Sequence, residues 1–410
     1  MMKYAFKISV AVLILFVALL LLGAYQRNEA WKDALSLWED NVKKSPSKAR
    51  ALNGLGLAYS DKGLHDKAIE VLEKTIREDP NHVKAYNNLG ITYSKMGLYE
   101  KSMEAFKKAI TISPGYAKAH NNLGNIYNAL SKYDQAIEEY ALCIKIDSSY
   151  VQAYNNLGVA YSNKGMHQEA IRAYQKALSI DYNYAEAYNN LGAAYYDSAQ
   201  YDNALTSLNT ALALDPHMEE AYNNLGNVYK SKGMIDTSIA VLQKALEINP
   251  RFEKALVSLA NLYKDQRMNS EAIAYYKKAI EVTPDDPTLH HNLGTVYNSE
   301  NLLQEAIASY QKALSLSPDF AKSHHNLAIA YSAMGKLNEA INELEETIRH
   351  SPDYFKAHLN LGILYAKKAN DSPKALLHLK KALKLKPDYP KADQIRKLIT
   401  QLEHPGKTSK

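Results

Sequence analysis

The chain has 410 residues, of which 49 are basic and 44 acidic for a net charge of +5, and it is 46% hydrophobic with 31 tyrosines and one cysteine. A large core is within reach, while the mixed charges and the lack of a long basic run give no reason to invoke nucleic acid. A single cysteine excludes an intrachain disulfide and leaves the redox compartment open.

Residues 1–7 form a basic tail carrying Lys3 and Lys7. From Ile8 to Ala24 the chain is apolar apart from Ser9 and Gly23, and Tyr25 and Arg27 follow, which predicts a transmembrane anchor over 8–25. A cleaved signal peptide is the competing reading, but its apolar region would be unusually long, and Leu22 stands where a small residue should precede a cut after Ala24. Lys3 and Lys7 on one side are met by Arg27 and Lys32 on the other, so loop charge barely discriminates orientation. A short basic tail held in the cytoplasm would make the protein single-pass, with the remainder in the periplasm or an equivalent lumen.

Residues 26–48 read as half of a repeat: Ala34, Trp38 and Pro46 lie one period before Ala68, Leu72 and Pro80. Either Trp31 or Trp38 is expected near the membrane interface, with core packing the competing role for Trp38. Ten full units of 34 residues then fill 49–389. Their origins are Gly56, Gly90, Gly124, Gly158, Gly192, Gly226, Ala260, Gly294, Ala328 and Gly362. Three residues after each stands a tyrosine, from Tyr59 to Tyr365. A small residue follows at twelve, a large apolar one at sixteen, usually alanine at nineteen, and in most units proline at twenty-four. Ala85, Leu89, Thr92 and Tyr93 make the buried stripe of a first helix, and Met103, Phe106, Ala109 and Ile110 that of a second. Gly97 marks the turn between them, and Gly90 is expected to let the two backbones approach. Each pair is too small to bury its own face, so pairs must stack.

This pattern resembles the tetratricopeptide repeat (TPR) family, which implies an all-α, right-handed α-solenoid of helix-turn-helix units, here behind one N-terminal transmembrane helix. In the last unit Ala375, Leu379, Ala382 and Pro387 each arrive one residue late, with Ser372 the expected helix cap and Pro373 the first helical residue. A capping helix is expected over 390–404, on the stripe Ile395, Leu398, Ile399 and Leu402, and a disordered tail over 405–410. Gly406, Lys407 and Thr408 mimic the end of a phosphate loop, but Gln401 occupies the required upstream glycine position.

The motif AYNNLG recurs across the units, although asparagine is a poor residue inside a helix. The slot two before the origin holds Asn88, Asn122, Asn156, Asn190, Asn224, Asn292, Asn326 and Asn360, broken only by Gly54 and Ser258. It lies at the border of the buried stripe, so stacking builds a ladder of amides. With repeats about 10 Å apart and an extended chain rising about 3.3 Å per residue, one rung would meet roughly every third residue of a bound strand. The alternative is that each amide simply bonds a neighbouring helix. The ladder is similar to that of O-linked N-acetylglucosamine transferases, a resemblance that implies a concave groove gripping peptide backbone, although their catalytic domain is absent from this sequence.

Another TPR subclass clamps the terminal carboxylate of chaperones; Lys84, Asn88 and Asn122 match its beginning, but Gln152 and Asn156 fail the rest. The slot six before the origin runs Arg50, Lys84, Lys118, Gln152, Glu186, Glu220, Lys254, which predicts a preference for acidic residues at the N-terminal repeats. His290, His324 and His358 recur at the period and fill the aromatic slot of Tyr86 and Tyr154. Their separation suits ring packing rather than one metal ion. Cys143 fills the small buried slot of Ala109 and Ala177.

No nucleophile with its base, carboxylate pair or nucleotide loop stands apart from the repeat, so no enzyme, cofactor, metal or small-molecule substrate is expected. Tyr25 to Pro46 resembles the junction of TPR-tailed membrane glycosyltransferases, including the transmembrane TPR-containing O-mannosyltransferases. The reading is a membrane-anchored scaffold that binds extended protein or peptide segments along a concave groove lined by the asparagines, with Lys84 and Lys118 at its edge. The alternative is an accessory or detached tail of a membrane glycosyltransferase system.

Overall fold

The computed structural model describes residues 31–367 and 371–404. Among these described residues there are 22 α-helices and no strand. The predicted basic tail 1–7, anchor 8–25 and C-terminal tail 405–410 lie outside them. Among the described residues no helix is long and apolar enough to cross a membrane.

The chain divides into two compact units between Leu214 and Asp215. In the N-terminal unit the helix Ala34–Lys44 begins where the Asp33 carboxylate accepts the backbone N–H of Ser36 at 2.8 Å. Five hairpins follow, with first helices Ala49–Asp61, Val83–Lys95, Ala117–Ala129, Val151–Asn163 and Ala185–Asp197. Their second helices are His65–Glu78, Tyr99–Ile112, Tyr133–Ile146, His167–Ile180 and Tyr201–Leu214. The C-terminal unit repeats the plan, with first helices Glu219–Ser231, Glu253–Asp265, Pro287–Ser299, Ala321–Ala333 and Phe355–Lys367. Its second helices are Ile235–Ile248, Asn269–Val282, Leu303–Leu316, Leu337–His350 and Ser372–Leu385, and the helix Ala392–Glu403 ends it.

The hairpin turn follows from one left-handed residue. Gly97 has φ of 73°, which lets the Leu98 N–H reach back to the Tyr93 carbonyl at 2.9 Å and satisfy an end of the first helix. The same slot is left-handed at Ser131, Ala199, Arg267 and Asn301, where a side chain must bear a conformation that disfavours it.

Glycine at the repeat origin has a task beyond the one its spacing suggests. A Cβ on Gly90, Gly124 or Gly158 would come within 2.6, 2.6 or 2.5 Å of the rings of Phe106, Tyr140 and Tyr174. The room is therefore made first for the large side chain of the second helix, while at Gly294 and Gly362 that helix's backbone also approaches, with Ala306 O and Leu379 N at 3.2 and 3.0 Å from such a Cβ. Those rings are among the largest fully buried side chains, between alanines such as Ala136 and Ala170 at 0% exposure. The tyrosine three after the origin ties hairpins together instead: Tyr59 donates to Glu39 at 3.0 Å, and Tyr365 to Glu345 at 2.7 Å.

Trp38 explains the first break in the asparagine slot, because its indole occupies the space a side chain at Gly54 would need. It is half-buried, whereas Trp31 is 68% exposed. In the last hairpin the second helix starts at Ser372 with Asp371 in the cap position, not Ser372 as its sequence suggests. Pro373 is tolerated in the first turn because the N–H it lacks has no intrahelical acceptor there. Ile395 and Ile399 of the closing helix pack on Leu379 and Ala382.

Candidate peptide-binding face

Within each unit the first helices of successive repeats touch one another, so their outer residues share one face. The paired asparagines lie along that contact and divide the work. In the second repeat Asn87 is buried, at 4% exposure, and Asn88 is half-buried. Asn88 Nδ2 donates to Asn53 Oδ1 at 3.0 Å, Asn122 to Asn87 at 3.0 Å, Asn156 to Asn121 at 3.1 Å and Asn190 to Asn155 at 3.1 Å. One amide receives from the next repeat while its neighbour donates to the previous one. Asn156 also donates to Asn125 at 3.0 Å, whose carbonyl takes the hydroxyl of the buried Tyr140 at 2.7 Å.

The rungs are thus already engaged within the stack, which is the alternative weighed for them from sequence. An amide has two N–H donors and a carbonyl, and each rung spends one donor on the preceding repeat's paired asparagine, Asn156 spending a second on Asn125. What remains differs by rung: Asn121 approaches the Asn122 carbonyl at 3.5 Å and Asn189 that of Asn190 at 3.4 Å.

In the C-terminal unit the acceptor row changes. Asn224 is half-buried at the usual slot. Ser258 replaces asparagine yet still donates to Asn223 at 3.0 Å. Asn292 has no hydrogen-bond partner among the described residues, because the acceptor position before it is Val257. His291 turns Nδ1 to Ser323 Oγ at 2.8 Å. Asn360 Nδ2 meets His325 Nε2 at 3.2 Å, which makes that nitrogen the acceptor and leaves Nδ1–H to donate to Asn326 Oδ1 at 3.2 Å. Burial, with Lys322 and Lys264 nearby, pushes His291 down to about 4, and burial also lowers His325. His325 is thus a neutral acceptor in place of an amide, while His291 stands at the same position with its ring turned to Ser323.

The cations flank the N-terminal rungs. Lys84 and Lys118 are exposed and, with Arg50, make no ion pair among the described residues. Lys84, Arg50, Asn53, Leu57 and Trp38 line a cleft of 640 Å³. Three repeats on, the same slot holds Glu186, whose carboxylate accepts the Nδ2–H of Asn155 at 3.2 Å.

The periodic histidines do more than pack. His290, His324 and His358 place Nε2 at 2.8, 3.0 and 3.0 Å from the carbonyls of Pro284, Pro318 and Pro352, fastening each first helix to the turn before it. Burial disfavours a charge on His324, but its contacts with Glu343 at 2.6 Å and Pro318, together with Glu346, raise its affinity for a proton. Among the described residues no group of three or more acidic, histidine or cysteine side chains could hold a metal ion. Cys143 is buried, and burial pushes its thiol up to about 12, so it stays protonated.

The buried acceptor row was not foreseen from sequence, although a signal existed. Asn or His precedes every asparagine of the ladder but Asn360, which follows Leu359, and the break at Ser258 follows Val257 in the same unit.

Stacked helical hairpins of fixed length with such a shared inner row define a helical-repeat protein. The TPR repeat model matches residues 124–165, 194–233, 269–301, 294–335 and 330–369. Tetratricopeptide repeat models match 83–116, 151–183 and 219–252, and also 19–83 and 105–138. The chain belongs to the tetratricopeptide repeat family. Among solved structures it is similar to MamA, at 31% identity over 40% of this chain and 95% of that one, with a TM-score of 0.37. YrrB, a TPR protein with an unusual peptide-binding site, is 23% identical over 46% of this chain and 97% of its own, with a TM-score of 0.38. A tetratricopeptide repeat protein from Parabacteroides merdae shares the fold at a TM-score of 0.52 and 17% identity, covering 60% of this chain and 98% of that one. No curated protein matches the chain.

Proposed function

We propose that this protein-interaction scaffold binds an extended protein segment along its first-helix face, and that an N-terminal helix over 8–25 anchors it in a membrane with the repeats in the periplasm or lumen. The observation that carries the binding reading is the row Asn88, Asn122, Asn156 and Asn190, half-buried and each held by the preceding repeat. A donor fixed in place loses little conformational freedom when a ligand arrives, so at Asn88, Asn122 and Asn190 the second N–H meets a backbone carbonyl at reduced entropic cost, while Asn156, which already donates twice, offers its carbonyl. Amides suit backbone groups of any sequence, which fits a scaffold. The anchor rests on the apolar run before Arg27 and on the exposed Trp31 just after it.

A photoreactive side chain at Ala193, on the first-helix face, and a control at the exposed Leu142 of a second helix test the reading in native membranes. Crosslinks from position 193 that map to continuous extended segments, and none from 142, are expected. Equal capture from both positions contradicts it. Retention of the chain in carbonate-washed membranes, with the repeats protected from external protease, tests the anchor and its orientation.

A further inference from the structure

The Asn155 pair shows what the acceptor row wants beside it. Its buried amide turns Oδ1 to Asn190 and Nδ2 to a carboxylate, Glu186, supplied from six before the next origin. Asn87 is equally buried, at 4% exposure, and its Oδ1 is taken by Asn122 in the same way. Its Nδ2, however, has no partner among the described residues, because the residue in the Glu186 position is Lys118. Asn53, half-buried, repeats the arrangement: Oδ1 receives Asn88, Nδ2 has no partner among the described residues, and Lys84 lines the same cleft. A lysine ammonium cannot accept an amide N–H. In the first place an amide donor and a cation with no ion pair among the described residues share the cleft, and in the second the repeat spacing sets the same two residue types; three and two repeats further along, respectively, the chain provides its own carboxylate at Glu186.

We propose that Asn53 with Lys84, and Asn87 with Lys118, are two carboxylate seats, and that the segment bound by the N-terminal repeats is acidic, with one Asp or Glu side chain in each seat. The Glu186–Asn155 bond is the built-in likeness of the occupied state. Arg50 and the apolar wall of Trp38 and Leu57 extend the first seat. Seats one repeat apart, about 10 Å, meet an extended strand at roughly every third residue. Charge-assisted bonds to an ammonium and an amide distinguish a carboxylate from its neutral amide counterpart. The inference rests on the first-helix groove reading and adds the chemistry of its occupant.

Fluorescence anisotropy with a labelled synthetic peptide bearing aspartate at every third position, and the same peptide with asparagine instead, tests it on the full chain in detergent. The aspartate peptide is expected to bind at least about tenfold more tightly, with the advantage shrinking as salt rises. The double substitution Lys84→Glu and Lys118→Glu fills both seats from within and should abolish the preference; Lys84→Gln with Lys118→Gln should reduce it. Glu186→Lys should create a third seat and tighten binding of a longer aspartate peptide. Circular dichroism of each variant reports folding separately. Equal binding of the two peptides overturns the seats while leaving the groove reading intact. Binding of neither peptide overturns the seats, and the groove reading is then judged by the Ala193 crosslinks.

Discussion

The two units use one repeat frame to build different inner rows. From Asn53 to Asn190 the N-terminal unit links amide to amide, four times over, with distances between 3.0 and 3.1 Å. The C-terminal unit keeps the amides Asn292, Asn326 and Asn360 but places Val257, His291 and His325 at the acceptor positions, and of these His325 receives its amide, from Asn360. The lesson is that the period sets where a side chain stands, while the residue at that place sets what the row can do. Amide rungs are indifferent to pH; imidazole rungs are not.

That contrast can be broken most strongly with acid. His291 is held near 4 by burial, with Lys322 and Lys264 adding to it, against about 6.5 in an unfolded chain. Above 6.5 both states are neutral and pH has no effect through this group. Between 6.5 and 4 the unfolded chain takes a proton that the native ring refuses, so stability falls, by up to about 3 kcal/mol at completion. Hydrogen exchange read separately in the two units should show the C-terminal one loosening over this window, and His291→Asn should remove that part of the slope. His324 works in the other direction, since its raised proton affinity stabilises the fold at low pH and that contribution is lost as pH rises through its native value.

Next in size, Asn155→Leu should cost about 2 kcal/mol of stability in the N-terminal unit, because Asn190 loses its acceptor and Glu186 its donor together. Local exchange protection around these helices checks it. The reciprocal change sharpens the comparison: Val257→Asn should stabilise the C-terminal unit by about 1 kcal/mol, giving Asn292 the acceptor that its counterparts have. A chemical melt of the variant beside the native chain reads the difference. The smallest effect is at the turns, where Ala199→Gly should stabilise by somewhat under about 1 kcal/mol by relieving its left-handed backbone, and Gly97→Ala should destabilise by a similar amount.

Much of the frame is legible in spacing alone. Leu89, Tyr93, Phe106 and Ala109 sit on the stripes their intervals require, and Gly97 turns where it must. The acceptor row is harder to read, because Asn87 and Asn88 are chemically identical and adjacent: only the packing of one first helix on the next separates the buried acceptor from the half-buried donor. The origin glycines are legible only in part for a related reason. Their partner is a side chain sixteen residues away, as Gly124 with Tyr140 shows, and spacing does not say whether the space beside a glycine is filled by backbone or ring. Nor does an even period announce the division of the chain at Leu214.

The central claim is that the half-buried amides contact a bound segment as well as each other. It is tested most directly by measuring peptide affinity and thermal stability together for the triple substitution of Asn88, Asn122 and Asn156 by alanine. The account predicts a retained helical fold, a lower melting temperature and a loss of affinity of about tenfold or more that persists well below the melting transition. A lowered melting temperature with unchanged affinity would show that these amides serve the stack alone.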